Sequence, residues 1–106
     1  MTKETIIKVV CDYFGTTLEQ VLETKTCRKR ELVMVRYFVF KMLKQYTDMS
    51  LEQIGFEIDK NHATVLFGIK SVNNLIEIDK MTRNINNEIE NRLKYFAFNY
   101  ECIANY

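Results

Sequence analysis

Between Ser50 and Val72 two apolar runs of helical spacing stand either side of only three polar residues. Little fits such a stretch except two helices joined by a tight turn. Ser50 and Gln53 form a capping-box pattern, in which the hydroxyl accepts the Gln53 N–H and the amide reaches back. Leu51, Ile54 and Ile58 then fall on one stripe. Asp59-Lys60-Asn61 interrupts it, and Asn61 can cap a second helix whose apolar face is Val65, Leu66, Ile69 and Val72. A helix pair of this length and turn suggests a helix-turn-helix.

Four more segments can be placed around it. Ile6, Ile7, Val9, Val10, Tyr13 and Phe14 make a helical stripe over residues 3–14 that stops at Gly15. Thr17 and Gln20 open a short helix, Leu18 to Glu23, with Val21 and Leu22 inward. After a polar loop to Cys27, a long helix runs from Arg28 to Tyr46. Leu32, Val35, Val39, Met42, Leu43 and Tyr46 occupy its core spacing, and Arg30, Arg36, Tyr37, Lys41 and Lys44 its other side. Glu77 to Thr82 reads as a polar connection to a last helix, Arg83 to Ile103, with Ile85, Ile89, Leu93, Phe96, Tyr100 and Ile103 in register. The expected architecture is one all-α domain over residues 1–106, a bundle of about six helices with a long carboxy-terminal helix.

Composition agrees. A chain of 106 residues with no Pro and three Gly suits a helical single domain. Cys11, Cys27 and Cys102 form no pair of metal-binding or disulfide spacing, which fits a reducing cytoplasm. No apolar window reaches membrane-spanning length. The net charge of +1 is neutral towards polyanions, but its distribution is not. Lys25, Arg28, Lys29, Arg30, Arg36, Lys41 and Lys44 share one window with Glu31 as its only acid. Such a run is either a solvated helix face or a phosphate-binding one. Catalysis has little to build on: His62 is the only histidine, without a neighbouring nucleophile or orienting group. Asp59 and His62 are too few to hold a metal. No phosphate loop or paired-carboxylate pattern occurs, and no cofactor, nucleotide or enzymatic activity is expected.

Ile54-Gly55 followed by Asn61-His62-Ala63-Thr64-Val65-Leu66 resembles the carboxy-terminal DNA-binding domain of the bacterial replication initiator DnaA, where Ser-Leu-Pro-Glu-Ile-Gly precedes a Gly-rich turn and Arg-Asp-His-Thr-Thr-Val-Leu-His-Ala. The resemblance takes in Tyr13-Phe14-Gly15, Val21-Leu22 and Arg28-Lys29-Arg30, covers about residues 4–78, and leaves the final segment without a counterpart. It implies a Trp-repressor-like helix-turn-helix that binds double-stranded DNA. It implies base contacts by Arg28 in the minor groove and by Asn61, His62, Ala63 and Thr64 in the major groove. Lys29, Arg30, Arg36, Lys44, Ser50, Leu51, Lys60 and Lys70 are the expected phosphate contacts. The helix-turn-helix geometry independently puts His62, Ala63 and Thr64 at base edges, where a Thr methyl or Ala can meet a thymine methyl.

This chain departs from the family pattern in a turn one residue shorter without its Gly pair, in Asn61 for Asp, and in Ala63 for Thr. Asp accepts from cytosine whereas Asn can pair with adenine, so the preferred site is expected to differ. An Asn61 engaged as a cap is not free to read a base. Tyr95, Phe96, Phe98, Tyr100 and Tyr106 crowd the tail, which either closes the bundle or forms a homodimer or partner surface. The expected function is sequence-specific duplex binding by a stand-alone domain, without an initiator's ATP-binding domain, regulating replication initiation or transcription. The rival is a protein-interaction module of a decayed initiator domain with weak, non-specific DNA binding.

Overall fold

Helices α1 (Lys3–Phe14), α2 (Leu18–Leu22), α3 (Arg30–Tyr46), α4 (Leu51–Ile58), α5 (His62–Ile78) and α6 (Lys80–Ala104) follow in order. The computed structural model describes residues 2–22 and 30–104, with side chains for 2–22 and 32–97. No strand occurs among the described residues, and the all-α bundle expected from the sequence is what the chain forms. The Gly15 stop acts as read: Gly15 ends α1 at φ 69°, with the Thr16 N–H donating to the Cys11 carbonyl. At the other end Thr2, which the sequence reading does not single out, caps α1 by accepting the Thr5 N–H.

Helix α3 is the hub. It packs against α1 and α5, with α2 and α4 at its sides. Phe38, Val39, Phe40, Met42 and Leu43 are all fully buried along it. Periodicity gives α3 one apolar stripe and one polar side. A helix covered on several sides buries most of its circumference, which brings in Phe38 and Phe40, and Arg36 with them. Each such apolar side chain contributes about 1.5–3 kcal/mol on burial, so the bundle depends on this helix more than on any other.

The α3–α5 crossing is set by Gly68. A Cβ built there would stand 2.6 Å from Tyr37 Cδ1 and 2.9 Å from Phe40 Cδ2, so only glycine admits this approach. Val65, Gly68 and Val72 form the buried side of α5. Leu66, expected on that face, is instead exposed.

The junction between α5 and α6 corrects the sequence reading. Residues 77–82 are not a connection: α5 runs to Ile78, α6 starts at Lys80, and Asp79 alone separates them. Asp79 Oδ2 accepts from both the Thr82 N–H (3.1 Å) and the Thr82 hydroxyl (2.6 Å), capping α6. Arg83 closes the other end, donating to the Ile76 and Glu77 carbonyls. Two helix ends satisfied by an Asp-x-x-Thr-Arg segment need no loop.

Ile89 and Leu93 of α6 are buried, while Phe96, expected in the core, is half exposed. Polar contacts hold the helix on the bundle as well: the Tyr13 hydroxyl donates to Glu88 at 2.5 Å, Arg92 lies over the Tyr13 ring at 4.9 Å, and Gln45 donates to Glu90. Tyr100, Ile103 and the tail aromatics Phe98 and Tyr106 lie outside the described side chains.

Candidate nucleic-acid interface

Helix α4, its turn and α5 are built from three local devices. The first is the capping box. Ser50 Oγ accepts the Gln53 N–H at 3.2 Å and Gln53 Oε1 accepts the Ser50 N–H at 2.9 Å. Ser50 is exposed, and the first-turn N–H groups of Leu51 and Glu52 have no intrahelical acceptor, as at any helix start, a setting that favours an anion.

The second device is the turn. Asp59 adopts the left-handed conformation at φ 57°, ψ 47°, which aspartate tolerates better than most residues. The chain then folds back so that the Lys60 N–H donates to the Gly55 carbonyl at 2.8 Å. A Cβ on residue 55 would stand 2.2 Å from the Lys60 carbonyl oxygen and 3.3 Å from Val65 Cγ2. Gly55 is therefore what permits a turn this short.

The third device is the α5 cap. Asn61 Oδ1 accepts the Thr64 N–H at 2.8 Å. His62 and Ala63 are exposed, Thr64 is half-buried, and Val65 is fully buried beneath them. The competing demand on Asn61 is thus decided for its oxygen. With one lone pair of Oδ1 held by the cap, Nδ2 is the uncommitted donor, which suits thymine O4 or guanine O6 and N7.

The expected phosphate contacts divide. Lys44, in the last turn of α3, and Lys70, on α5, are exposed, and Lys60 is half-exposed in the turn. Arg36 is a correction. It is 8% exposed, and its Nε and Nη2 both donate to the Val21 carbonyl, at 3.1 and 2.9 Å. That carbonyl lies at the end of α2, where a cation on the last turn is favourable. Arg36 ties α2 to α3 and is not a surface cation. Lys41 donates to Gln45, which donates on to Glu90 of α6, and burial lowers its pKa. Arg28 and Lys29 lie outside the described residues, as does the Arg30 side chain.

Sequence reasoning missed one pair at this face. Phe67, on α5 one turn beyond Ala63, is 63% exposed and meets the Tyr37 ring edge-on, with centroids 6.3 Å apart. Its signal was an apolar residue outside the core register of α5. Tyr37 and Lys44 are seven residues apart and share a stripe of α3, so Lys44 lies on the side of α3 that faces α5.

Elsewhere, a groove of about 300 Å³ lined by Lys3, Ile7, Cys11, Thr17 and Glu57 includes none of these residues. Burial pushes the Cys11 thiol up to about 11, which keeps it protonated at neutral pH. No cluster of three metal-ligating side chains occurs among the described residues, and no described helix is long and apolar enough to cross a membrane.

Comparison with known proteins agrees with this geometry. The family model described as the bacterial DnaA protein helix-turn-helix matches residues 3–72, from the first helix to the middle of α5. The chromosomal replication initiator protein DnaA of Flavobacterium psychrophilum is 45% identical over 89 residues, 83% of this chain and 18% of that protein. That of Bacteroides thetaiotaomicron is 41% identical over 95 residues, 89% of this chain and 20% of that protein. A span of that share reaches into α6 from any starting point, so at least the first part of the last helix, left without a counterpart in the sequence reading, has one here. The chain spans about a fifth of the length of these relatives. With the fold, the capped turn and a match over most of its residues in agreement, this chain belongs to the bacterial DnaA helix-turn-helix family.

Proposed function

We propose that this domain binds a defined duplex DNA sequence, with α5 in the major groove, and acts in the control of replication initiation or of transcription. Its coarser part, helix-turn-helix DNA binding in replication initiation, is carried by family membership. The finer part rests on one observation. The Asn61 cap fixes the start of α5 so that His62 and Ala63 stand in solvent directly above the buried Val65. A recognition helix presents its first turn to base edges, and a capped, core-anchored start holds those side chains in place. Lys44, Lys60, Lys70 and the helix-start N–H groups of Leu51 and Glu52 are the phosphate contacts of this reading, which position without reading sequence. Arg28, Lys29 and Arg30 belong to the same proposal as minor-groove and phosphate contacts.

The domain works by binding alone in this reading, without chemistry, cofactor or nucleotide. Selection from a random duplex pool tests it: a recovered consensus supports readout, and a flat pool at all salt concentrations overturns it. A second reading has its own observation. Tyr95 and Phe96 of α6 are 65% and 50% exposed and meet edge-on, a surface suited to a homodimer or a protein partner. Light scattering that finds only monomer at high concentration removes the homodimer.

A further inference from the structure

The outward side of α5 is unusual for a groove-facing helix, because it carries exposed apolar side chains among its polar ones. Ala63, Phe67 and Lys70 are spaced i, i+4, i+7 and so line one face, and all three are exposed. Val65, Gly68 and Val72 take the opposite side against the core. Phe67 therefore gains little from the bundle that positions it. Among the described residues its ring partner is Tyr37, met edge-on at 6.3 Å, and Tyr37 is itself tilted against Phe40 at 6.4 Å. The ring is thereby steadied from the buried side while most of its surface faces out.

We propose that Phe67 is a specificity-determining residue that reads the C5 methyl of a thymine in the major groove. The inference rests on the groove docking of α5 proposed above. The methyl is the one apolar feature that distinguishes base pairs in that groove, and an exposed ring one turn beyond Ala63 lies about 6 Å further along the helix. Lys70, one turn on again, supplies the charge that suits the phosphates flanking such a contact. The expected readout is preference for thymine over every other base at one position of the site, separate from the positions set by Asn61, His62 and Thr64.

The test uses the whole chain and a duplex obtained by selection. Each thymine of that site is replaced singly by deoxyuridine, which removes the methyl and nothing else. Wild-type protein is expected to bind about three- to fivefold more weakly at the position Phe67 reads, the value of one buried methyl group. Phe67→Ala should abolish that penalty and leave other deoxyuridine penalties and the salt slope unchanged. Phe67→Leu should restore most of it. A packing role for Phe67 would instead weaken thymine and deoxyuridine duplexes alike, and that outcome overturns the proposal. So does a Phe67→Ala protein with the wild-type penalty at every position. A pool with no consensus overturns the groove reading itself, and this proposal with it.

Discussion

Asn61 spends its side-chain oxygen on the Thr64 N–H, 2.8 Å away, at the position where the family pattern has aspartate. The residue that begins α5 is thus first a structural residue. Asn61→Ala should cost about 1 kcal/mol of stability by losing the cap. Asn61→Asp keeps the cap and adds a favourable charge at the helix start, worth about 0.3–1 kcal/mol. The same charge removes the Nδ2 donor, so the selected DNA site should shift towards cytosine. Urea melts and a repeated selection on the Asp variant check the two halves separately.

His62 and Lys44 should separate reading from affinity. His62→Ala is expected to flatten preference at one or two positions by about ten- to a hundredfold. Lys44→Ala should weaken every duplex together and reduce the slope of log K on log salt by about one. Equal losses on all sequences for both variants would reduce α5 to a backbone contact. Fluorescence anisotropy on matched and scrambled duplexes at several salt concentrations gives the answer.

Gly55 admits no side chain. With the Lys60 carbonyl 2.2 Å from where a Cβ would be, Gly55→Ala must displace backbone, not a flexible side chain. A loss at the upper end of the about 1–3 kcal/mol typical of overpacking is expected. DNA affinity should fall with it, since the turn that aims His62 moves. Thermal unfolding and binding measured on the same preparation test this.

Asp59 holds a left-handed backbone that costs most residues about 1–2 kcal/mol. Asp59→Gly should therefore raise stability, and Asp59→Ala lower it, each by about 1 kcal/mol. Denaturant midpoints with unchanged m values would report both.

Asp79 gives the pH dependence. Its two bonds from Thr82, side chain first and then backbone, hold its carboxyl below the usual value of 3.8. A depressed folded pKa means the cap stabilises above the unfolded pKa and is lost as pH falls through the folded one. Acid unfolding of the wild type should therefore include a contribution below about pH 4 that Asp79→Asn lacks. Circular dichroism along an acid titration of the two proteins makes the comparison.

Sequence alone determined what depends on near neighbours. The helix-turn-helix, both of its caps, the Gly15 stop and the exposure of His62 and Ala63 were legible, because capping and amphipathic spacing act over three to seven residues. The family, too, was readable from Ile54-Gly55 and Asn61-His62-Ala63-Thr64-Val65-Leu66. Tertiary structure alone decided what depends on which surfaces meet. Arg36 reads as a surface cation until α2 presents the Val21 carbonyl to it. Phe38 and Phe40 become core only because several helices enclose α3, and a stripe analysis recognises a single face. Phe96 shows the converse, a residue in perfect register that projects beyond the bundle it was expected to fill. Gly68 and Phe67 gain their meaning from Tyr37, thirty residues away in the chain. Spacing along a helix fixes the direction of a side chain, but only the packing of other helices fixes what it finds there.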